Sequence, residues 1–404
     1  MEMFDSSSQD LSSQPSPQQG PSSQPSSPLD QPHLVGQSPL RERCRSILAS
    51  GRLGHAYLFA GAKGTGTLAL ALAFAEAIQG GHRSWFADSD THVFLPEPSS
   101  FNDGARKERL ETLHQDPYAF DHEGAPVQGD SKGQERSNLR SFYSIGQFRE
   151  QIKPVTVLRP NTADRLVVVL HDIHTMRAES ANAFLKLLEE PPKDVLFLLT
   201  TPSTDTLMPT ILSRCQVMRL KPCTQHEITE ALVAEGRPRE DAQLAAQLSN
   251  GQVGLARAMD VDAFRSSKEE LLQFLRSSYT MDAAALSSLI QQVSQGYSLE
   301  QQIAWFGSLE WMLRDLLLLR ETGDTALILH QDHAKVMIDF IKALQDARLV
   351  EMIDVVSEVK PWLIQNVQMK LILPVVSFRF AALMRGEDPN IARHEAWKHY
   401  PAAG

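Results

Sequence analysis

The sequence predicts an α/β protein in which a parallel sheet is followed by two helical regions. Short apolar runs at residues 55–60, 166–170 and 195–200 alternate with helical patterns, the arrangement that gives a parallel sheet covered by helices on both faces. The first run leads through a glycine-rich loop into an alanine- and leucine-rich helix. From Lys221 onward the pattern is helical and contains no convincing strand.

The individual elements follow from apolar spacing and from the residues that end helices. Continuous β-branched and leucine runs are typical of strands buried on both faces, whereas apolar positions three or four apart indicate helices. Gly80 and Gly81 end the helix after the glycine-rich loop, and Pro191 with Pro192 ends a later one. In chain order the predicted elements are a helix at 39–51, a strand at 55–60, a helix at 68–78, a candidate strand at 91–95, a helix at 145–152, a strand at 166–170, a helix at 176–188, a strand at 195–200, helices at 228–234 and 242–248, and long amphipathic helices beyond 261.

These elements divide the chain into four regions. Residues 1–32 are almost entirely serine, glutamine and proline and are expected to be disordered, because they have too little apolar surface to offset the entropy of ordering. Residues 33–222 form the α/β core, in which 85–140 is predicted to be a long insertion or loop. Residues 223–262 form a small helical lid, and 263–404 form a larger helical domain.

Composition limits the class of protein and its compartment. The net charge of −10 argues against a stand-alone nucleic-acid binder, which usually carries a basic surface. The start of the chain has no basic segment followed by an apolar stretch, and no apolar run approaches the about 18 residues that span a membrane. Cys44, Cys215 and Cys223 are too few for a disulfide framework and suit a reducing compartment. We therefore expect a cytoplasmic protein.

The glycine-rich loop has the frame of a phosphate-binding P-loop but lacks its reactive side chains. In G-x-x-x-x-G-K-[ST], the lysine contacts the β- and γ-phosphates and the hydroxyl binds Mg²⁺. Gly61, Gly64 and Gly66 are present here, whereas Thr67 takes the lysine position and Leu68 the hydroxyl position. The glycines would still let backbone amides approach an anion at a helix N-terminus. We expect weak or absent ATP binding and no hydrolysis.

The end of the strand at 166–170 is altered as well. In ATPases an acidic pair at this place holds Mg²⁺ and positions the attacking water. His171 takes the first position here, which leaves Asp172 alone as a poor magnesium site. The histidines beside Asp172 do not suggest a transition-metal site, because adjacent residues of a strand point to opposite faces. No bound metal is expected.

Arg214, in a Ser-Arg-Cys tripeptide, is the candidate catalytic residue. It follows the strand at 195–200 and the segment 208–212. A guanidinium suits the charge that develops on a transferred phosphoryl group, and arginine fingers raise rates by about 10³ to 10⁵. Taken alone, an arginine in this place would more often be a surface ion-pair partner.

Three motifs resemble those of bacterial clamp-loader AAA+ subunits. They are Gly-His-Ala-Tyr-Leu-Phe at 54–59, Ala-Asn-Ala-Phe-Leu-Lys-Leu-Leu-Glu-Glu-Pro-Pro at 181–192, and Pro-Thr-Ile-Leu-Ser-Arg-Cys at 209–215. The Leu-Glu-Glu-Pro-Pro run and the Ser-Arg-Cys motif are highly specific at this separation. The similarity covers residues 33–80 and 144–260 and continues weakly into the helical region.

The resemblance implies an α/β AAA+ P-loop core with a parallel sheet, a small helical lid and a C-terminal all-α collar domain that joins a pentamer. It implies that Arg214 acts in trans, as an arginine finger in the ATP site of a neighbouring tau/gamma-type subunit. The implied partners are the tau/gamma and delta subunits of DNA polymerase III, the sliding clamp, and primer-template DNA reached through the complex. The chain itself would help load the clamp without hydrolysing ATP.

Two departures from the family bear on ligands. Family members usually carry a four-cysteine zinc module after the first helix, but residues 81–145 contain no cysteine, so zinc is not expected. The sensor-2 arginine position holds Leu255, with Arg257 two residues further on.

Two other functions remain open at this point. One is an active AAA+ ATPase of the tau/gamma type with an unorthodox loop. The other is a purely structural AAA+ scaffold in which Arg214 only makes local contacts.

Overall fold

The described part of the chain begins close to the first predicted helix. The computed structural model describes residues 27–81, 83–98, 102–119, 141–297, 299–330, 333–364 and 367–389. Most of the predicted disordered tail, residues 1–26, lies outside these ranges. The prediction that disorder extends to residue 32 is wrong, because Pro28–Asp30 already form a 3₁₀ helix and Leu29 is fully buried in the core.

A five-stranded parallel sheet forms the centre of the core. Its strands are β1 (Ala56–Ala60), β2 (Thr91–Phe94), β3 (Leu166–Leu170), β4 (Val195–Thr201) and β5 (Gln216–Arg219). They lie in the order β2-β3-β4-β1-β5, and every pair is parallel. Leu58 of the inner strand β1 is paired with Leu199 on one side and Val217 on the other. The parallel sheet predicted from the apolar runs is therefore confirmed.

Helices cover both faces of the sheet and then continue without further strands in the described residues. In chain order they are α1 (Ser38–Ser50), α2 (Thr67–Ile78), α3 (Asp103–Gln115), α4 (Ile145–Gln147), α5 (Lys153–Val155), α6 (Ala178–Glu189), α7 (Pro209–Leu212), α8 (Gln225–Ala234), α9 (Arg239–Leu248), α10 (Val253–Ala258), α11 (Val261–Thr280), α12 (Ala283–Gly296), α13 (Leu299–Thr322), α14 (Ala334–Ala343), α15 (Leu349–Ile364) and α16 (Met369–Met384). A π-helical turn, Phe148–Ile152, joins α4 to α5.

The three inner strands, β1, β3 and β4, are mostly apolar because both of their faces are buried. Along β1, Tyr57 and Phe59 face the cluster that contains α1 and α2, whereas Leu58 faces the cluster that contains α6. On that second face Phe184 packs edge-on against Phe197, with ring centroids 5.3 Å apart. Each large apolar side chain buried in this way contributes roughly 1.5–3 kcal/mol. Packing on both faces thus fixes the carboxyl edge of the sheet, where the candidate site lies.

The segment 85–140 is not simply a loop, because its described residues include a strand and a helix. Its candidate strand at 91–95 is confirmed as β2, which pairs with β3. The helix α3 was missed because its surface is mostly polar and gives little apolar pattern. The side chain of Asn102 caps α3 by accepting a hydrogen bond from the Ala105 amide at 2.8 Å, as N-caps do. Residues 99–101 and 120–140 lie outside the described ranges.

The C-terminal half forms a small helical layer and a larger helical bundle. Helices α8 to α10 pack on one another, and α8 begins at a capping box made by Thr224 and Glu227. Helices α11 to α16 enclose a second apolar core in which Phe274 contacts Trp305 edge-on. The predicted boundary between residues 262 and 263 falls in the first turn of α11. No described helix combines the length and the hydrophobicity needed to cross a membrane.

Candidate functional site

The glycine-rich loop joins β1 to α2 at the carboxyl edge of the sheet. The Gly61 amide donates to the Thr201 carbonyl at 3.1 Å, and the Thr65 hydroxyl donates to the Ala62 carbonyl at 2.6 Å. Gly66, with φ of 87°, is the N-cap residue of α2 and provides no side chain to cap it. The structure therefore has the strand, tight loop and helix that a P-loop match requires.

The two substituted P-loop positions point away from phosphate chemistry. Thr67 is 5% exposed and Leu68 is completely buried in the apolar core. A P-loop ATPase needs a lysine that neutralises phosphate charge and a hydroxyl that binds Mg²⁺. Neither residue type stands at its own position here, and the expected loss of ATP binding stays a prediction.

The end of β3 is a network of short polar contacts. His171 Nδ1 lies 2.8 Å from the Thr200 hydroxyl, which also accepts a hydrogen bond from the Asp172 amide at 3.0 Å. The Asp172 carboxylate lies 3.6 Å from His171 Nε2 and 3.8 Å from His174 Nδ1. Burial lowers the pKa of both histidines, and the negative charge of Asp172 only partly opposes that effect.

These histidines are consequently neutral near pH 7, and the contacts with Asp172 are not strong ion pairs. Asp172 itself has a left-handed backbone, with φ of 54°. Within the described ranges, no cluster of His, Cys, Asp and Glu side chains is arranged to hold a metal ion. The sequence placed Asp172 correctly at the strand end, but its proposed part in nucleotide binding stays a prediction.

Arg214 lies just beyond the short helix α7, which packs against α6. Its Nη1 donates to the Thr210 carbonyl at 2.9 Å, and its Nη2 lies 2.9 Å from Glu189 Oε1. The Arg214 side chain is 33% exposed and that of Glu189 is 52% exposed. The fold thus brings the Leu-Glu-Glu-Pro-Pro and Ser-Arg-Cys motifs together at the surface.

An exposed ion pair of this kind is weak. Such pairs contribute about 0–1 kcal/mol, because solvent screens the charges and ordering the side chains costs entropy. The guanidinium can therefore leave Glu189 for a stronger anion, such as a phosphate, at little cost. Sequence reasoning missed Glu189 as the partner of Arg214, since 25 residues separate the two.

Part of the chain is similar to known proteins of one family. The family described as "DNA polymerase III, delta subunit" matches residues 36–224. The chain is 27% identical to DNA polymerase III subunit delta' of Bacillus subtilis, over 55% of this chain and 59% of that protein. It is 33% identical to subunit delta' of Escherichia coli, over 37% of this chain and 44% of that protein.

Relatives with another name are similar to about the same degree. The chain is 28% identical to DNA polymerase III subunit tau/gamma of Haemophilus influenzae, over 52% of this chain and 27% of that protein. These matches span less than two thirds of the relatives' own lengths.

The core therefore has the α/β P-loop fold of an AAA+ protein with an altered phosphate loop. Residues 36–224, a little less than half of the chain, are similar to the clamp-loader AAA+ family of DNA polymerase III subunits.

Proposed function

We propose that this chain is a delta-prime-type, non-hydrolysing subunit of a clamp loader and that it lends Arg214 to the ATP site of a neighbour. The proposal rests on the difference between the P-loop positions and Arg214 within the same α/β core. The P-loop positions of lysine and hydroxyl are occupied by the buried Thr67 and Leu68, whereas Arg214 is partly exposed and held only by surface contacts. The chain can therefore contribute to ATP hydrolysis at a neighbouring subunit's site but cannot hydrolyse ATP at its own P-loop.

The partners follow from the same proposal. Tau/gamma-type subunits would supply the ATP site that receives Arg214, and a delta-type subunit would complete the assembly. Together they would open the sliding clamp and load it on primer-template DNA in the cytoplasm. The helices α11 to α16, whose apolar core is separate from that of the sheet, would form the collar contact. No nucleotide, zinc or other cofactor is assigned to this chain.

Two alternatives each have one observation in their favour. Similarity to tau/gamma relatives favours an active ATPase, but Thr67 and Leu68 oppose it. The contact between Arg214 and Glu189 favours a scaffold in which the arginine is structural. The weakness expected of exposed pairs opposes that reading.

ATP turnover by the isolated chain separates the proposal from the first alternative. We expect no hydrolysis above background, because the lysine and the magnesium-binding hydroxyl are missing. A tau/gamma subunit from the same organism, assayed in parallel, is the positive control. Turnover by the isolated chain at a rate comparable to that control would show that it is an active ATPase.

A further inference from the structure

Tyr118 lies deep in the crevice where an AAA+ core would hold its nucleotide. It follows α3 in a turn that is fixed by Asp116, whose carboxylate accepts a hydrogen bond from the Tyr118 amide at 2.9 Å. The tyrosine is 1% exposed and belongs to the same apolar cluster as Leu68. No sequence pattern pointed to this residue, because it lies in the segment predicted to be a long insertion or loop.

The Tyr118 ring rests directly on the P-loop. A methyl group added to Gly66 would lie 2.9 Å from Tyr118 Cε1 and 3.0 Å from its hydroxyl oxygen. Gly66 is the N-cap of α2, and the start of this helix is where a phosphate would bind. In open parallel sheets, ligands enter the crevice outside the carboxyl ends of the strands, and the ring lies in that crevice.

Two other walls of the crevice also hold the ring. The Val35 amide, in the segment before α1, lies 3.4 Å from the Tyr118 hydroxyl oxygen and donates to it. The Arg257 guanidinium, from α10 of the lid, lies 4.4 Å from the ring centroid, within the range of a cation–π contact. Tyr118 therefore contacts the chain before α1, the P-loop and the lid at the same time.

Arg257 is itself held in this position. It forms ion pairs with Glu235 and, at 3.7 Å, with Asp116. The lid also touches the loop directly, since the Gly254 amide donates to the Gly64 carbonyl at 3.0 Å. These contacts close the lid on the loop with the tyrosine between them.

We propose that Tyr118 occupies the place of an adenine nucleotide and keeps the pocket closed to this class of ligand. The proposal deepens the proposed function, on which it rests: the subunit is independent of nucleotide because one of its own side chains fills the site, and not only because the P-loop lysine is missing. A nucleotide could enter only by displacing the ring from Gly66, Val35 and Arg257 together.

The test separates the two causes by restoring the P-loop. The double variant Thr67→Lys with Leu68→Thr recreates the P-loop consensus, and it is compared with the same variant that also carries Tyr118→Ala. Binding of a fluorescent ATP analogue to the isolated chains is measured by titration. We expect at least a tenfold tighter binding when Tyr118 is removed, whereas Tyr118→Phe, which retains the ring, should leave the pocket closed.

Equal affinity with and without Tyr118 would overturn the proposal, and so would tight binding by the Phe variant. Thermal unfolding checks that each chain is folded, and Tyr118→Leu replaces the Ala variant if that chain does not fold. The titration needs no neighbouring subunit, so its result does not depend on whether Arg214 acts in trans. The experiment can therefore disprove the role of Tyr118 without disproving the proposed function of the subunit.

Discussion

Replacing Arg214 with alanine should reduce ATP hydrolysis at the neighbouring site by a factor on the order of 10³, the lower end of the effects of arginine fingers. The guanidinium would stabilise the charge that develops on the transferred phosphoryl group, and alanine leaves that charge uncompensated. Hydrolysis is measured in a single turnover by the complete complex with primer-template DNA. In the partner subunits, the Ser-Arg-Cys arginines are changed to alanine. The ATP site that receives Arg214 is then the site whose hydrolysis is measured.

Three comparisons make this result specific. Arg214→Lys keeps the charge but loses the planar fork, and it should recover only a small part of the rate. Arg219→Ala removes a nearby exposed arginine that contacts the Thr204 hydroxyl and should leave the rate unchanged. The isolated Arg214→Ala chain should lose less than about 1 kcal/mol of stability, because its ion pair with Glu189 is exposed. An unchanged rate in an intact complex would favour the scaffold.

Replacing Asp315 with alanine should destabilise the helical C-terminal domain by about 3–5 kcal/mol, as expected when one partner of a buried polar network is removed. Asp315 is 2% exposed and His330 is 1% exposed. One carboxylate oxygen of Asp315 accepts from the amides of Leu329 and His330 at 3.0 and 2.9 Å and lies 2.6 Å from His330 Nδ1. Alanine leaves all three donors without this acceptor, and the two on His330 are buried.

Urea unfolding followed by tryptophan fluorescence measures this loss, because Trp305 is buried in the same domain. Asp315→Asn keeps the shape and one acceptor oxygen and should cost less than alanine. Asp262→Ala, at a side chain that is 95% exposed, should change stability little. If the collar forms the subunit contact, Asp315→Ala should also weaken assembly. Equal stability of the alanine variants at 315 and 262 would show that the Asp315 network adds nothing.

The sequence predicted best those elements whose residues are buried on every side. The strands β3 and β4 were placed within a residue of their ends, because β-branched and leucine runs of that length fit a doubly covered sheet. The mostly polar surface of α3 gave no comparable signal, and β5 is short and begins and ends with exposed polar residues. Leu29 was assigned to a disordered tail because one apolar residue among serines and prolines forms no pattern.

Only those parts of the candidate site that consist of residues adjacent in sequence could be predicted. The P-loop substitutions and the Ser-Arg-Cys motif can be read directly, because each depends on adjacent residues. The contact of Arg214 with Glu189 and the position of Tyr118 on Gly66 depend on how distant segments fold together. Tyr118 is separated from the loop it covers by a strand and two helices, so no spacing rule connects them.

A structure of the assembled complex with a non-hydrolysable ATP analogue would test the central claim most directly. The distance to measure joins the Arg214 guanidinium to the γ-phosphate of the analogue bound by the adjacent subunit. We expect a hydrogen-bond distance of about 3 Å, with the contact to Glu189 broken. An Arg214 that stays on Glu189, far from any bound triphosphate, would contradict the account.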